Sequence, residues 1–331
     1  MAMPDFFVIG VPKSGTTALH VALAAHPQLF MSRVKEPKFF LTDGPPPTGG
    51  GPGDAKTFRE HIWRRGEYEA LFDAAPPGTL SGESTSLYLY DKDAAPRIHA
   101  ANPHARLIAL LRDPVDRAHS NWAHLWSAGL EPEKDFVAAC RLEEERAAAG
   151  WAQFWRYLDL GRYGAQLDRL LKVFPRDQVL LIRYRELREE PFATLDRICQ
   201  FLGVPTGVLT GVPAENVTAH ATDSFRNRAV ATVLRAGVAI EHHLPKAWWP
   251  RVDRFLASHL QSEQRPRQPM TADERAELVP YFTEDVALLE QLTGESFAEW
   301  LDPHKPGHRA ALEPSRPIGT AHNSIDNPLG T

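Results

Sequence analysis

Short apolar runs alternate along this chain with longer stretches whose apolar residues recur every three or four positions. Phe6 to Val11, FFVIGV, is continuous rather than alternating, as a strand buried on both faces of a parallel sheet requires. The turn PKSGTT follows, and then ALHVALAAHP, in which Leu19, Leu23 and Ala24 mark a helical face before Pro27 stops it. Gln28 to Met31 predicts a second short strand. Residues 57–73 read as helical, Leu80 to Glu83 as a strand entering a polar turn, and Asp91 to Ala101 as a helix interrupted by Pro96. Arg106 to Leu111, RLIALL, is the clearest strand after the first, and Pro114 suits the first turn of a helix running to about Ala128. Leu158 to Phe174 is amphipathic, Gln178 to Ile182 is another buried strand, and Phe192 to Leu202 is a helix that stops at Gly203.

Strands alternating with helices in this way build right-handed βαβ units and a parallel sheet covered on both faces. The expected fold class is therefore α/β. Residues 43–54, DGPPPTGGGPGD, predict a mobile surface loop that packs no core. Composition shows no break inside 1–302, which predicts one domain there. From Pro303 the apolar periodicity disappears, and 303–331 predicts a loosely attached tail.

Charge narrows the function classes. Among 331 residues, 37 Lys and Arg stand against 42 Asp and Glu, a net charge of −5. That excludes a globally basic nucleic-acid binder but not a local basic pocket. Two cysteines, at 140 and 199, form no CxxC and no disulfide framework, which fits a reducing cytoplasm. No stretch approaches the about 20 apolar residues of a membrane span, and MAMPDFFVIGVPK does not have the form of a signal peptide. A cytoplasmic enzyme is the expectation.

Two strand ends carry the chemistry. A glycine-containing turn between a buried strand and a helix presents backbone N–H groups and a positive helix end to an anion. Here the turn is Gly10-Val11-Pro12-Lys13-Ser14-Gly15-Thr16-Thr17. The glycines keep the spacing of a nucleotide-hydrolase P-loop, GxxxxGK[ST], but Thr16 follows the second glycine and the lysine sits inside the loop at 13. The second strand end is RLIALLRDPVDRAHSNW, where a magnesium-dependent NTPase would place a Walker-B aspartate. Arg112 comes first instead. It can grip a phosphate bidentately, with Ser120 eight residues on; or it can pair with Asp113 or Asp116, leaving Ser120 as helix surface.

Taken together these residues resemble the sulfotransferases that use 3′-phosphoadenosine-5′-phosphosulfate (PAPS), and within them the heparan sulfate N- and 3-O-sulfotransferase branch with its bacterial relatives. VIGVPKSGTTAL at 8–19 resembles the family's 5′-phosphosulfate loop. Lys35-Glu36-Pro37-Lys38-Phe39-Phe40 is similar to its KExxFF segment, and Gly82-Glu83-Ser84-Thr85-Ser86-Leu87-Tyr88 to its strand with a glutamate before a Ser/Thr-rich turn. LLRDPVDRAHS at 110–120 resembles the 3′-phosphate motif; GRYGAQLDRLLKVFP, LLIRYREL and FLGV follow in the family's order. The likeness runs over about residues 5–301.

The resemblance implies a P-loop-like three-layer sandwich and PAPS as sulfuryl donor, with no metal. It places the general base on Glu83, a catalytic lysine at Lys35, and leaving-phosphate contacts on Lys13 and the amides of Ser14, Gly15, Thr16 and Thr17. It gives the 3′-phosphate to Arg112 and Ser120, with Arg226 and Arg228 closing over the donor, although the family's glycine after these arginines is absent here. His20, His119 and His124 are rival bases, since some sulfotransferases use histidine. A P-loop kinase or NTPase, or a noncatalytic nucleotide-binding module, stays as the alternative.

For the acceptor, a small natural product, glycoside or lipid hydroxyl is expected over a heparan-like polysaccharide, because a polyanion would call for a basic groove. Trp122, Trp126, Trp151 and Trp155 either flank the acceptor or fill the core. Trp248 and Trp249, if exposed, would meet an apolar acceptor or a membrane surface. A homodimer is compatible with the sequence.

Overall fold

The computed structural model describes residues 3–209, 211, 220–221, 264–265 and 270–305. Its centre is a five-stranded sheet of β1 (Phe6–Gly10), β2 (Leu29–Met31), β3 (Leu80–Ser84), β4 (Arg106–Leu111) and β5 (Val179–Arg183), in the order β2-β3-β1-β4-β5. Every neighbouring pair is parallel. The continuous apolar runs follow from this, because alternate residues bury on opposite faces. Phe7, Ile9, Leu107, Ala109 and Leu111 enter one core; Phe6, Val8, Ile108, Leu110 and Ile182 enter the other. Helices cover both faces, so the three-layer α/β sandwich expected from the sequence is the observed one.

Chain direction reverses across the sheet at β1. From β1 the chain moves to β2 and β3 on one side, then crosses to β4 and β5 on the other. In an open α/β sheet a crevice forms at that switch point, outside the carboxyl ends of the strands. The loops after β1, β3 and β4 all end there.

Several elements differ from the pattern-based expectation, each for a local reason. The helix expected over 57–73 is two helices, α2 (Asp54–Arg59) and α3 (Arg65–Glu69). Between them the Ile62 amide bonds the Pro37 carbonyl instead of continuing a helix. Helix α4 (Ala94–Ala101) starts three residues late because the Asp91 carboxylate accepts the Asp93 and Ala94 amides. Pro96 then falls in its first turn, where no amide partner is needed.

The loop at 43–54 is a correction. Its first half is largely exposed, but its end is fixed: the buried Asp54 carboxylate accepts the Gly51 amide, the Ala152 amide and the Trp155 indole N–H. A single buried acceptor with three donors anchors what composition alone marks as free.

The C-terminal helices dock on the same body. Helix α12 (Thr283–Thr293) crosses α8 (Tyr163–Leu171) so closely that a Cβ at Gly164 would lie 2.2 Å from the Asp285 carbonyl oxygen. The Asp285 carboxylate caps α8 through the Gly164 and Ala165 amides at 2.8 and 2.9 Å. Lys305, where the tail was expected to have begun, reaches Asp113; residues 306–331 lie outside the described residues. Among the described residues no helix is long and apolar enough to cross a membrane.

Candidate active site

The turn after β1 has the geometry of an anion cradle. Lys13 and Gly15 both take left-handed backbone, at φ 69° and 83°, which turns successive amides toward one side. Gly15 is the N-cap of α1 (Thr16–Ala24), with no side-chain cap and no acidic residue in the first turn. The positive end of the helix and its leading N–H groups are therefore left for a ligand. Ser14 is fully buried, and its hydroxyl has no hydrogen-bond partner among the described residues. A buried hydroxyl without a partner at a helix N-terminus suits a phosphate-like group.

Arg112 closes the other side. It extends from the end of β4, donates from Nη1 to the Lys13 carbonyl at 2.8 Å, and lies over the Tyr184 ring at 4.9 Å. Among the described residues no salt bridge joins it to Asp113 or Asp116. Asp113 caps α5 (Pro114–Ser127) through the Val115 and Asp116 amides. Ser120 sits almost buried on that helix. Lys13, Ser14, Gly15, Thr16 and Arg112 thus come to one crevice, with Thr17 exposed at its edge. Arg226 and Arg228 lie outside the described residues, as do Trp248 and Trp249.

The segment Lys35–Phe40 lies along the turn after β3. The Glu36 amide bonds the Ser84 carbonyl, the Lys38 amide bonds Thr85 Oγ1, and the Phe40 amide bonds Tyr88 Oη. Glu36 and Lys38 both hold φ 61°, a costly conformation for residues with a Cβ. The Glu36 carboxylate accepts from the Ser86 amide and hydroxyl and from Lys35 Nζ at 2.8 Å. Its side chain is 24% exposed, and that of Lys35 22%.

Glu83 lies at the end of β3, as the sequence predicts. Its side chain is completely buried. Oε1 accepts the Tyr68 and Tyr88 hydroxyls and Oε2 accepts the Thr85 hydroxyl, each at 2.9 Å. The cause is register: Glu83 pairs with Phe7, whose side chain enters the core that contains Phe40, Tyr68 and Tyr88. Burial raises the Glu83 pKa to about 7, against the three hydroxyl donors. Glu36, by contrast, carries a partly exposed carboxylate on this rim. In the sequence it stands inside the KExxFF segment, directly after Lys35, but only the positive φ and the exposure single it out.

Glu83 also makes the fold sensitive to pH. Its pKa rises from 4.5 toward about 7 on folding, so the native state holds the proton more tightly. The stabilisation is complete below about pH 4.5 and is lost as pH rises through about 7. Urea unfolding at about pH 4.5 and about pH 8 should show a wild-type difference that shrinks by about 2–3 kcal/mol in Glu83→Gln. An unchanged difference would refute this.

Two of the histidine rivals, His20 and His124, are held as weak bases. His20 bonds Ser84 Oγ at 2.9 Å, and burial with the Lys35 charge lowers its pKa to about 4. Burial and the Lys13 charge do the same for His124, which packs edge-on against Phe154. His119 packs against Trp122 and Phe136. A proton acceptor works best with a pKa near the working pH, which His20 and His124 do not have. Trp122 and Trp155 are buried core residues, with Trp126 and Trp151 packed against them, so this quartet belongs largely to packing.

The sequence model described as "Sulfotransferase family" matches residues 4–207, more than half of the chain. The chain belongs to the sulfotransferase family. It is 29% identical over 214 residues to the mouse (Mus musculus) bifunctional heparan sulfate N-deacetylase/N-sulfotransferase 4, covering 61% of this chain and 22% of the relative. It is 29% identical over 201 residues to human (Homo sapiens) heparan sulfate glucosamine 3-O-sulfotransferase 6, covering 61% and 52%. The match therefore spans about half, or less, of these curated relatives. Among solved structures, the sulfotransferase from Alicyclobacillus acidocaldarius is 29% identical with a TM-score of 0.68, covering 91% of this chain and 99% of that one. Membership sets aside the kinase and NTPase alternative for this sulfotransferase.

Proposed function

We propose that this sulfotransferase moves the sulfuryl group of PAPS to the hydroxyl of a small natural product, glycoside or lipid. The observation that carries the proposal is the hydrogen bond from Arg112 to the Lys13 carbonyl, which joins the cradle after β1 to the cation after β4. PAPS, when bound, supplies the sulfuryl group and a phosphate leaving group. Lys13 and the amides of Ser14 to Thr17 stabilise the charge that grows on the 5′-phosphate. Arg112 and Ser120 hold the 3′-phosphate, with Arg226 and Arg228 closing over the donor by resemblance. Lys35 lies on the acceptor side of the crevice and orients Glu36, which takes the acceptor proton.

Glu83 is the second reading for the base. One observation favours it, a pKa of about 7, near the ideal for proton transfer. Its complete burial speaks for Glu36. For the acceptor, the net charge of −5 favours an uncharged or lipid-like partner over a polyanion.

Thermal shift with 3′-phosphoadenosine-5′-phosphate (PAP) against Mg-ATP tests the donor. PAP at 100 times its Kd should stabilise by about 2.7 kcal/mol; stabilisation by Mg-ATP alone would overturn the proposal. Turnover of labelled PAPS only on heparan-like chains would overturn the acceptor assignment.

A further inference from the structure

Two aspartates stand beside Arg112 in the chain, Asp113 next to it and Asp116 one turn on. A buried arginine next to two buried carboxylates would ordinarily be consumed by them, and an arginine already neutralised is a poor anion ligand. Asp113 is instead engaged by cations from the C-terminal segment, while Asp116 lies in the field of both Arg112 and Arg275. Arg275, on α11 (Ala272–Leu278), is 1% exposed and grips Asp113 with both terminal nitrogens, Nη1 to Oδ1 at 3.2 Å and Nη2 to Oδ2 at 2.7 Å. The same Nη1 lies 3.6 Å from Asp116 Oδ1. Lys305 Nζ adds a third contact to Asp113 Oδ2 at 3.2 Å.

Arg275 is itself rigidly held. Its Nε donates to the Asp302 carbonyl at 2.7 Å and its Nη2 to the Trp300 carbonyl at 2.8 Å. A capping box between Thr271 and Glu274 fixes the start of its helix. Asp113 therefore faces two cations, Arg275 and Lys305, while Arg112 makes its own direct contacts with a carbonyl and an aromatic ring.

We propose that Arg275 is a positioning residue for the anion crevice: by occupying Asp113 it keeps Arg112 from pairing with that neighbouring carboxylate and leaves the guanidinium for the 3′-phosphate. This rests on the assignment of the 3′-phosphate to Arg112 made above. It gives the C-terminal helices a part in donor recognition. Asp113 also caps α5, which carries Ser120, so the clamp fixes both expected 3′-phosphate contacts from behind.

The test compares binding of PAP with binding of AMP, which lacks the 3′-phosphate, by calorimetry. Arg275→Gln should weaken PAP by about 10-fold or more, the loss of one charge-assisted contact. AMP affinity should stay within about twofold. Adding Asp113→Asn to Arg275→Gln should restore PAP binding, because asparagine still caps the helix but offers Arg112 no charge. Equal losses for PAP and AMP, or no restoration, would overturn the proposal.

Should Arg275→Gln alone fail to fold, Asp113→Asn is compared with the double variant. Equal PAP-to-AMP ratios support the proposal, and a lower ratio in the double variant overturns it. Arg112→Ala, measured alongside, separates the two ways of failing. If it leaves the PAP-to-AMP ratio unchanged, the 3′-phosphate assignment falls and this proposal with it. If it collapses the ratio and Arg275→Gln does not, only the role of Arg275 falls.

Discussion

Glu36→Gln is expected to lower kcat by about 10²–10⁴-fold, the usual worth of a positioned general base, with PAP affinity nearly unchanged. The substitution keeps the size of the side chain and one oxygen for the Ser86 amide, while the Ser86 hydroxyl, which bonds the other carboxylate oxygen, can turn to accept from the new NH₂. What it removes is the carboxylate charge, and with it the proposed acceptance of the acceptor's proton and the ion pair with Lys35. Glu36 is suited to that by position: it is partly exposed, held at φ 61°, and oriented by Lys35 Nζ at 2.8 Å. Strained backbone at such a rim is maintained only where the surroundings over-determine it. Glu83→Gln is the matched control. Its carboxylate is shut behind Tyr68, Tyr88 and Thr85, so turnover should fall far less. The opposite ranking of the two variants in kcat would return the base to Glu83.

The largest stability loss should come from Arg146→Ala, at about 3–5 kcal/mol in equilibrium urea unfolding. Glu131 and Arg146 form a bidentate pair at 2.6 and 2.9 Å, with side-chain exposures of 0% and 5%. Glu131 also accepts the Tyr157 hydroxyl and the Glu133 amide. Arg146 in turn lies over the rings of Trp151, Trp155 and Tyr157. Truncating it strands a buried carboxylate and opens the aromatic stack at once. Because Trp151 covers Gly51 and Trp155 donates to Asp54, the damage should spread to the end of the 43–54 loop. Limited proteolysis should cut there in the variant and not in the parent. Replacing the pair together, as Glu131→Leu with Arg146→Met, should cost much less, since no charge is then left without its partner. Equal losses for the single and double variants would refute this account.

The β-strands were legible because a parallel sheet covered on both faces demands continuous apolar runs, and FFVIGV and RLIALL satisfy that by composition alone. The cradle was legible because Gly10, Lys13, Ser14 and Gly15 are contiguous and their chemistry lies in backbone amides. Helix interruptions were less so. Ile62 leaves its helix for a carbonyl 25 positions earlier, at Pro37, a partner that periodicity cannot see. The anchoring of 50–54 depends on Trp155, about a hundred residues on.

Sequence by itself determined the layered α/β fold, the anion cradle after β1, the arginine after β4, and the likeness to sulfotransferases. Each of these is written in residues adjacent along the chain, where local geometry follows from local chemistry. Tertiary structure alone decided which glutamate faces outward and which cation serves which carboxylate. Glu83 turns inward because its register places it beside Phe7, and Asp113 belongs to Arg275 rather than to Arg112 because α11 docks behind α5. Burial and charge pairing are properties of the assembled body, so the environments of these carboxylates and cations were decided only when distant segments packed together.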